Sequence, residues 1–147
     1  MLMAVVNVPN FDRCGLVGYE IKNHEFTGFA AGGVKAIWHS AGLVRASRMV
    51  VVECAIDALS HAQISADHEA GYLSIGGALS SHQRDLLRGA LTKATARGAT
   101  VFIATDADPA GDKLANEIAA LAPVGAAIER QRPDDKDWND QLRASSY

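Results

Sequence analysis

Three acidic residues, Glu53, Asp106 and Asp108, stand out as the groups able to do chemistry. Glu53 closes the apolar run Met49-Val50-Val51-Val52. Asp106 and Asp108 follow a second apolar run, in Thr105-Asp106-Ala107-Asp108-Pro109-Ala110-Gly111-Asp112. In extended backbone, residues two apart point the same way, so Asp106 and Asp108 aim at one point. Crowded carboxylates repel and resist full ionisation. A divalent cation removes that penalty, and Mg²⁺ prefers a few carboxylate oxygens plus waters and substrate phosphates. Such a site suits phosphoryl transfer, where metal ions stabilise the attacking and leaving oxygens. Singly, each acid has a plainer reading: Asp108-Pro109 is a good helix start, Asp106 fits a polar loop, and Glu53 ends a strand. Together, at one sheet edge, they read as a site.

The elements that must position these acids are legible from residue 48 onward. Residues 49–53 read as a buried parallel strand, and residues 55–64 as a helix. Residues 72–75 read as a short strand stopped by Gly76-Gly77. Residues 80–97 read as a long helix, with Ser80 and Gln83 at capping-box spacing and Gly98 at its end. Residues 100–105 form a third strand, 109–121 a helix, 126–130 a fourth strand and 137–144 a terminal helical turn. This alternation implies an α/β fold: a parallel four-stranded sheet flanked by helices. In such sheets ligands bind outside the carboxyl ends of the strands, where Glu53, Asp106 and Asp108 lie. Ahead of this region, residues 3–8 and 15–22 read as strands joined by a turn at 10–14. Residues 26–38 add one or two short strands around Gly32-Gly33. The expected organisation is an N-terminal antiparallel β meander over residues 1–47 and a catalytic domain over 48–147, forming one compact unit.

At this point the string Glu53-Cys54-Ala55-Ile56-Asp57-Ala58-Leu59-Ser60, followed by Asp106-Ala107-Asp108-Pro109-Ala110-Gly111-Asp112, resembles the toprim domain shared by primases, topoisomerases, nucleases and recombination mediators. The resemblance covers about residues 48–143 and implies a Rossmann-like toprim fold. Gly18-Tyr19-Glu20, Gly28-Phe29, Gly32-Gly33, Ile37-Trp38, Tyr72 to Gly77 and Lys136-Asp137-Trp138-Asn139-Asp140 narrow it to toprim-like domains of plasmid and mobile-element proteins, which accompany primase or mobilisation modules. One position departs from the pattern: many toprim domains carry Gly after the Glu, where this chain has Cys54.

The resemblance implies that Glu53 is a general acid/base or metal ligand, and that Asp106 and Asp108 hold Mg²⁺ or Mn²⁺. Asp112 joins a second metal site or stabilises its helix N-terminus. Asp57 orients the Glu53 loop. Gly76 and Gly77 either form a tight turn or admit a phosphate to free backbone N–H groups. Lys136 contacts a nucleotide or backbone phosphate, and Asp137 and Asp140 help bind metal; the alternative is a capped terminal helix with Trp138 packed on the sheet. The implied function is Mg²⁺-dependent nucleotidyl transfer in a primase-like protein, with a DNA template and nucleoside triphosphates as partners. The alternatives are a metal-dependent nuclease and a non-catalytic module that binds DNA or a partner protein.

Composition narrows the field further. The 147 residues are 48% hydrophobic and 21% charged, which supports a packed core and argues against disorder. The net charge of −3 is not that of a basic nucleic-acid clamp. Residues 101–147 carry five basic and nine acidic residues, so the acid excess lies in the C-terminal segment holding Asp106 and Asp108. Arg84, Arg88, Lys93 and Arg97 flank the apolar stripe of the long helix and read as a solvated face. No apolar run is long enough to span a membrane. The two cysteines form neither a disulfide framework nor a zinc knuckle, which fits a cytoplasmic protein.

Overall fold

The computed structural model describes residues 6–22 and 26–145. Its centre is the apolar run before Glu53. Strand β5 (Arg48–Val52) lies between β6 (Ala70–Ser74) and β7 (Thr100–Ile103) and is parallel to both. Strand β8 (Ile128–Arg130) continues the parallel sheet beyond β7. Because side chains alternate along a strand, Met49 and Val51 face one layer and Val50 and Val52 the other. All four are buried, as expected of a central strand covered on both faces.

Among the described residues, four helices supply the covering layers. Helix α2 (Ser81–Ala96) and helix α3 (Pro109–Ala120) place Leu87, Leu91, Leu114 and Ile118 against Met49, Val51, Val101 and Ile103. Helix α1 (Ala55–Ser65) and helix α4 (Trp138–Ala144) place Ala58 and Trp138 against Val50, Val52 and Tyr72. The four expected parallel strands with helices on both faces are therefore present, as four of the five strands of a mixed sheet. Among the described residues, no helix is long and apolar enough to cross a membrane.

The N-terminal meander is also present, with two adjustments. Strands β1 (Val6–Asp12), β2 (Gly15–Lys22) and β3 (Thr27–Phe29) form an antiparallel sheet in that order. Residues 3–5 of the expected first strand lie outside the described residues. The first strand runs on to Asp12, with a register shift between Asn10 and Phe11, so the turn is shorter than residues 10–14. Strand β4 (Trp38–His39) leaves the meander and joins the main sheet, antiparallel to β6. Burial explains the switch: Ala36 and Ile37 are 0% and 4% exposed, and each has its main chain tied to a different part of the molecule. Ile37 exchanges two backbone hydrogen bonds with Phe11, at 2.8 and 3.3 Å.

Gln83 locks this junction. It completes the capping box at the start of α2 with Ser80, and its side chain is fully buried. Its Nε2 donates to the carbonyls of Ala36 and Ile75. Gln83→Ala strands both buried acceptors and removes the cap partner. Its expected cost is about 2–4 kcal/mol of unfolding free energy, read as a lower urea midpoint at unchanged slope.

Candidate functional site

The site grows from the ends of two adjacent strands. Glu53 follows β5, and Asp106 follows β7 after Ala104 and Thr105. The Ala104 N–H donates to Val51 O at 2.8 Å, which keeps the two chains paired beyond the strands. The Asp106 N–H then donates to Glu53 Oε1 at 3.2 Å. One acid is thus fixed by the backbone of the other.

The backbone of Glu53 is held equally firmly. Its carbonyl accepts from the N–H groups of Gly76 and Gly77 at 2.7 and 3.1 Å, and from Ser74 Oγ at 3.3 Å. Both glycines have positive φ, 66° and 86°, a conformation that L side chains rarely adopt. The Gly-Gly pair is a turn whose amides point at the Glu53 carbonyl rather than standing free for a phosphate. Asp57 orients the same loop: its Oδ2 accepts from the Cys54 N–H, and Cys54 Sγ accepts from the Asp57 N–H. Cys54 serves as N-cap at φ −130°, so glycine is not required there. Burial pushes its thiol up to about 12, with the Asp57 charge adding to the shift, so it stays a neutral cap.

The Asp106 loop is braced on its other side by a residue the sequence reading did not single out. Arg130, at the end of β8, donates to the carbonyls of Ile103, Thr105 and Gln131 through Nη1, and to the carbonyl of Asp106 through Nη2. Its place beside Ile103 in the β7–β8 register is the signal that marks it. Thr105 Oγ1 donates to Gly111 O at 2.8 Å, and Asp108 caps α3 by accepting from the Gly111 N–H at 2.7 Å.

The remaining predicted residues separate into two groups. Asp112 accepts from Arg132 and lies 3.5 Å from Arg130, so its charge is met by two guanidiniums. Lys136 meets the loop through its backbone, its carbonyl accepting from the Ala107 N–H at 3.0 Å. Asp137 caps α4 by accepting from the Asp140 N–H, and Asp140 lies 3.9 Å from Arg143. Trp138 is buried and donates from Nε1 to Ala104 O, so the terminal helix is pinned to the strand that carries Asp106.

The electrostatics single out Asp106. Burial first, then the charges of Glu53, Asp57, Asp137 and Asp108, push its carboxyl up to about 7. Glu53 is also raised, by burial and then by Asp108 and Asp57, against the opposing hydrogen bond from Asp106 and the charge of Arg130. Asp106 Oδ1 is buried and accepts no hydrogen bond from the described residues. A buried acceptor surrounded by like charge is a fitting donor for a hard divalent cation. Glu53 and Asp106 fit such an ion in kind, whereas Asp112 is already neutralised. Among the described residues, no three His, Cys, Asp or Glu side chains are grouped to hold one ion.

The raised Asp106 carboxyl has a direct consequence for stability. An aspartate in an unfolded chain ionises near pH 4. Between that value and about 7, the unfolded chain has released the proton while the folded protein retains it. Stability of the protein in a chelator is therefore expected to fall as pH rises through this window and to level off above it. Asp106→Asn removes the loss. It is expected to gain about 1–2 kcal/mol at pH 8, after allowance for solvent screening of a partly exposed group, and little at pH 4. Urea unfolding at the two pH values measures the difference.

Residues 50–142 match the family of toprim-like domains, and the chain belongs to that family. No curated protein matches the sequence. In fold, the chain resembles the crystal structure of the primase fragment of the bacteriophage T7 primase–helicase, at 20% identity and a TM-score of 0.65. That match covers 95% of this chain and 58% of the phage chain. It also resembles a chain in a bacteriophage T7 complex of the lagging-strand DNA polymerase with primase domains bound to an RNA/DNA hybrid and dTTP. There the identity is 16% and the TM-score 0.65, covering 97% of this chain and 71% of that one. The chain thus spans little more than half of the first of these structures, and at these identities the likeness is one of fold.

Proposed function

We propose that this chain is the nucleotidyl-transfer core of a primase-like protein of a plasmid or mobile element, acting in DNA replication or mobilisation. The observation that carries the reading is the buried, unpartnered Asp106 oxygen beside Glu53 at the carboxyl edge of a toprim-like sheet. Asp106 and Asp108, with Glu53, would hold Mg²⁺ or Mn²⁺, which when bound supplies positive charge to phosphate oxygens. Glu53 accepts the proton of the 3′-hydroxyl as its oxygen attacks the α-phosphate of the incoming nucleoside triphosphate and pyrophosphate leaves; its raised proton affinity suits that task. Arg130, Gly76 and Gly77 keep the two acid-bearing loops in place without touching substrate. Residues 1–47 and 48–147 act as one unit, with a DNA template and nucleoside triphosphates as substrates.

One gel tests this. End-labelled single-stranded DNA is incubated with protein, Mg²⁺ or Mn²⁺ and the four nucleoside triphosphates, with a labelled triphosphate in a parallel lane. New or lengthened products that disappear in Glu53→Gln are the expected result. Shortened DNA that depends on Glu53 would replace the polymerising reading with a nuclease, in which water takes the place of the hydroxyl. Unchanged DNA in both lanes, from a protein that still binds it, would make the chain a binding module.

A further inference from the structure

Glu53 also borders a second environment. Between α2 and α3 lies a cavity of about 280 Å³ that Glu53 helps to line. None of Asp57, Asp106 and Asp108 lines it; Arg84, Lys113 and Glu117 do, with Leu79 and Leu114 as its apolar wall. Arg84 on α2 donates to Glu117 on α3 at 2.7 Å, bridging the two helices. Lys113 is exposed and has no hydrogen bond or ion pair among the described residues. The cavity therefore carries two cations against Glu117 and Glu53, and one of those cations is uncommitted. Both helices begin beside it, and their positive ends add to the field. No aromatic ring lines it, so it offers nothing on which a nucleobase could stack.

Resting on the phosphoryl-transfer reading above, we infer that this cavity seats a phosphate of the substrate, held by Lys113, with Arg84 as a second cation that Glu117 competes for. A phosphate placed here reaches Glu53 from a cavity that none of Asp57, Asp106 and Asp108 lines, with Arg84 and Lys113 to offset the charge of Glu53 and Glu117. Two sources offer the same chemistry: the polyphosphate of a nucleoside triphosphate and the backbone of a nucleic-acid strand.

Binding assays separate them. The probes are inorganic triphosphate and a fluorescent single-stranded oligodeoxynucleotide, each titrated against the intact chain. Lys113→Gln is expected to weaken one of the two by about tenfold, the loss of one charge-assisted contact. Glu117→Gln is expected to tighten the same probe by about threefold by freeing Arg84. Arg88→Gln, on an exposed part of α2 with its own partner Asp85, leaves both unchanged. An effect confined to triphosphate assigns the cavity to the nucleotide, and one confined to the oligonucleotide assigns it to the strand. Wild-type binding that Lys113→Gln leaves unaltered overturns the inference even if Glu53-dependent turnover is found, as does failure of the wild type to bind either probe. Binding that depends on Lys113 without Glu53-dependent turnover overturns the catalytic reading instead and leaves the phosphate seat standing.

Discussion

Glu53→Gln is expected to lower turnover by a factor of about 10²–10⁴, the range associated with loss of a positioned general base. The fold should survive, because the contacts that place residue 53 do not need its charge. Its carbonyl still accepts from Gly76, Gly77 and Ser74. The amide oxygen of glutamine can still accept from the Asp106 N–H, the bond that joins the two loops. Removing a half-buried negative charge beside Asp57 and Asp108 is expected to raise stability slightly, since partial burial and those charges together lift the Glu53 pKa. Single-turnover rates and thermal unfolding, measured on the same sample, check both halves. A variant that loses activity and also unfolds early would place Glu53 in the scaffold rather than in the chemistry.

The largest expected effect on folding belongs to Gly111→Ala. A Cβ at this position would stand 2.2 Å from Asp106 O and 2.9 Å from Asp106 C, far inside van der Waals contact. Neither side can yield easily. The Gly111 N–H is held by Asp108 and its carbonyl by Thr105, while Asp106 O is held by Arg130. The added methyl therefore acts on the loop that carries both aspartates. Its expected cost is about 3 kcal/mol or more, with activity and metal binding lost together. Gly89→Ala is the contrasting control: this helical glycine has open space around its missing Cβ. Its replacement is expected to stabilise α2 by up to about 1 kcal/mol. Urea unfolding of the two variants separates a steric requirement from general helix propensity.

These residues also show which parts of the molecule could be read from sequence. The β-α-β alternation was legible because the runs around Val51, Leu73 and Val101 are continuous and apolar, as doubly covered strands must be. Ser80 and Gln83 announced the start of α2 by their spacing, and Asp108-Pro109 announced α3. The approach of Glu53 to Asp106 followed from placing both at the ends of strands in one parallel sheet. What was hidden depended on pairings across long separations. Nothing near Gly76-Gly77 says that their amides turn onto the carbonyl of Glu53. Nothing near Asp112 says that Arg130 and Arg132, carried in by the edge strand, will take its charge. Gln83 signalled a cap, but its bond to Ala36 is a contact between distant segments. The departure of β4 from the meander likewise rests on the burial of Ala36 and Ile37, which a short strand of two residues does not advertise.

Mn²⁺ binding reports whether Asp106 and Asp108 form a divalent-cation site beside Glu53. Free Mn²⁺ is followed by electron paramagnetic resonance during titration with the wild-type chain and with the double variant Asp106→Asn, Asp108→Asn. Saturable binding by the wild type, lost almost completely by the double variant while it remains folded, is the expected result. An unchanged titration in a folded double variant would contradict it.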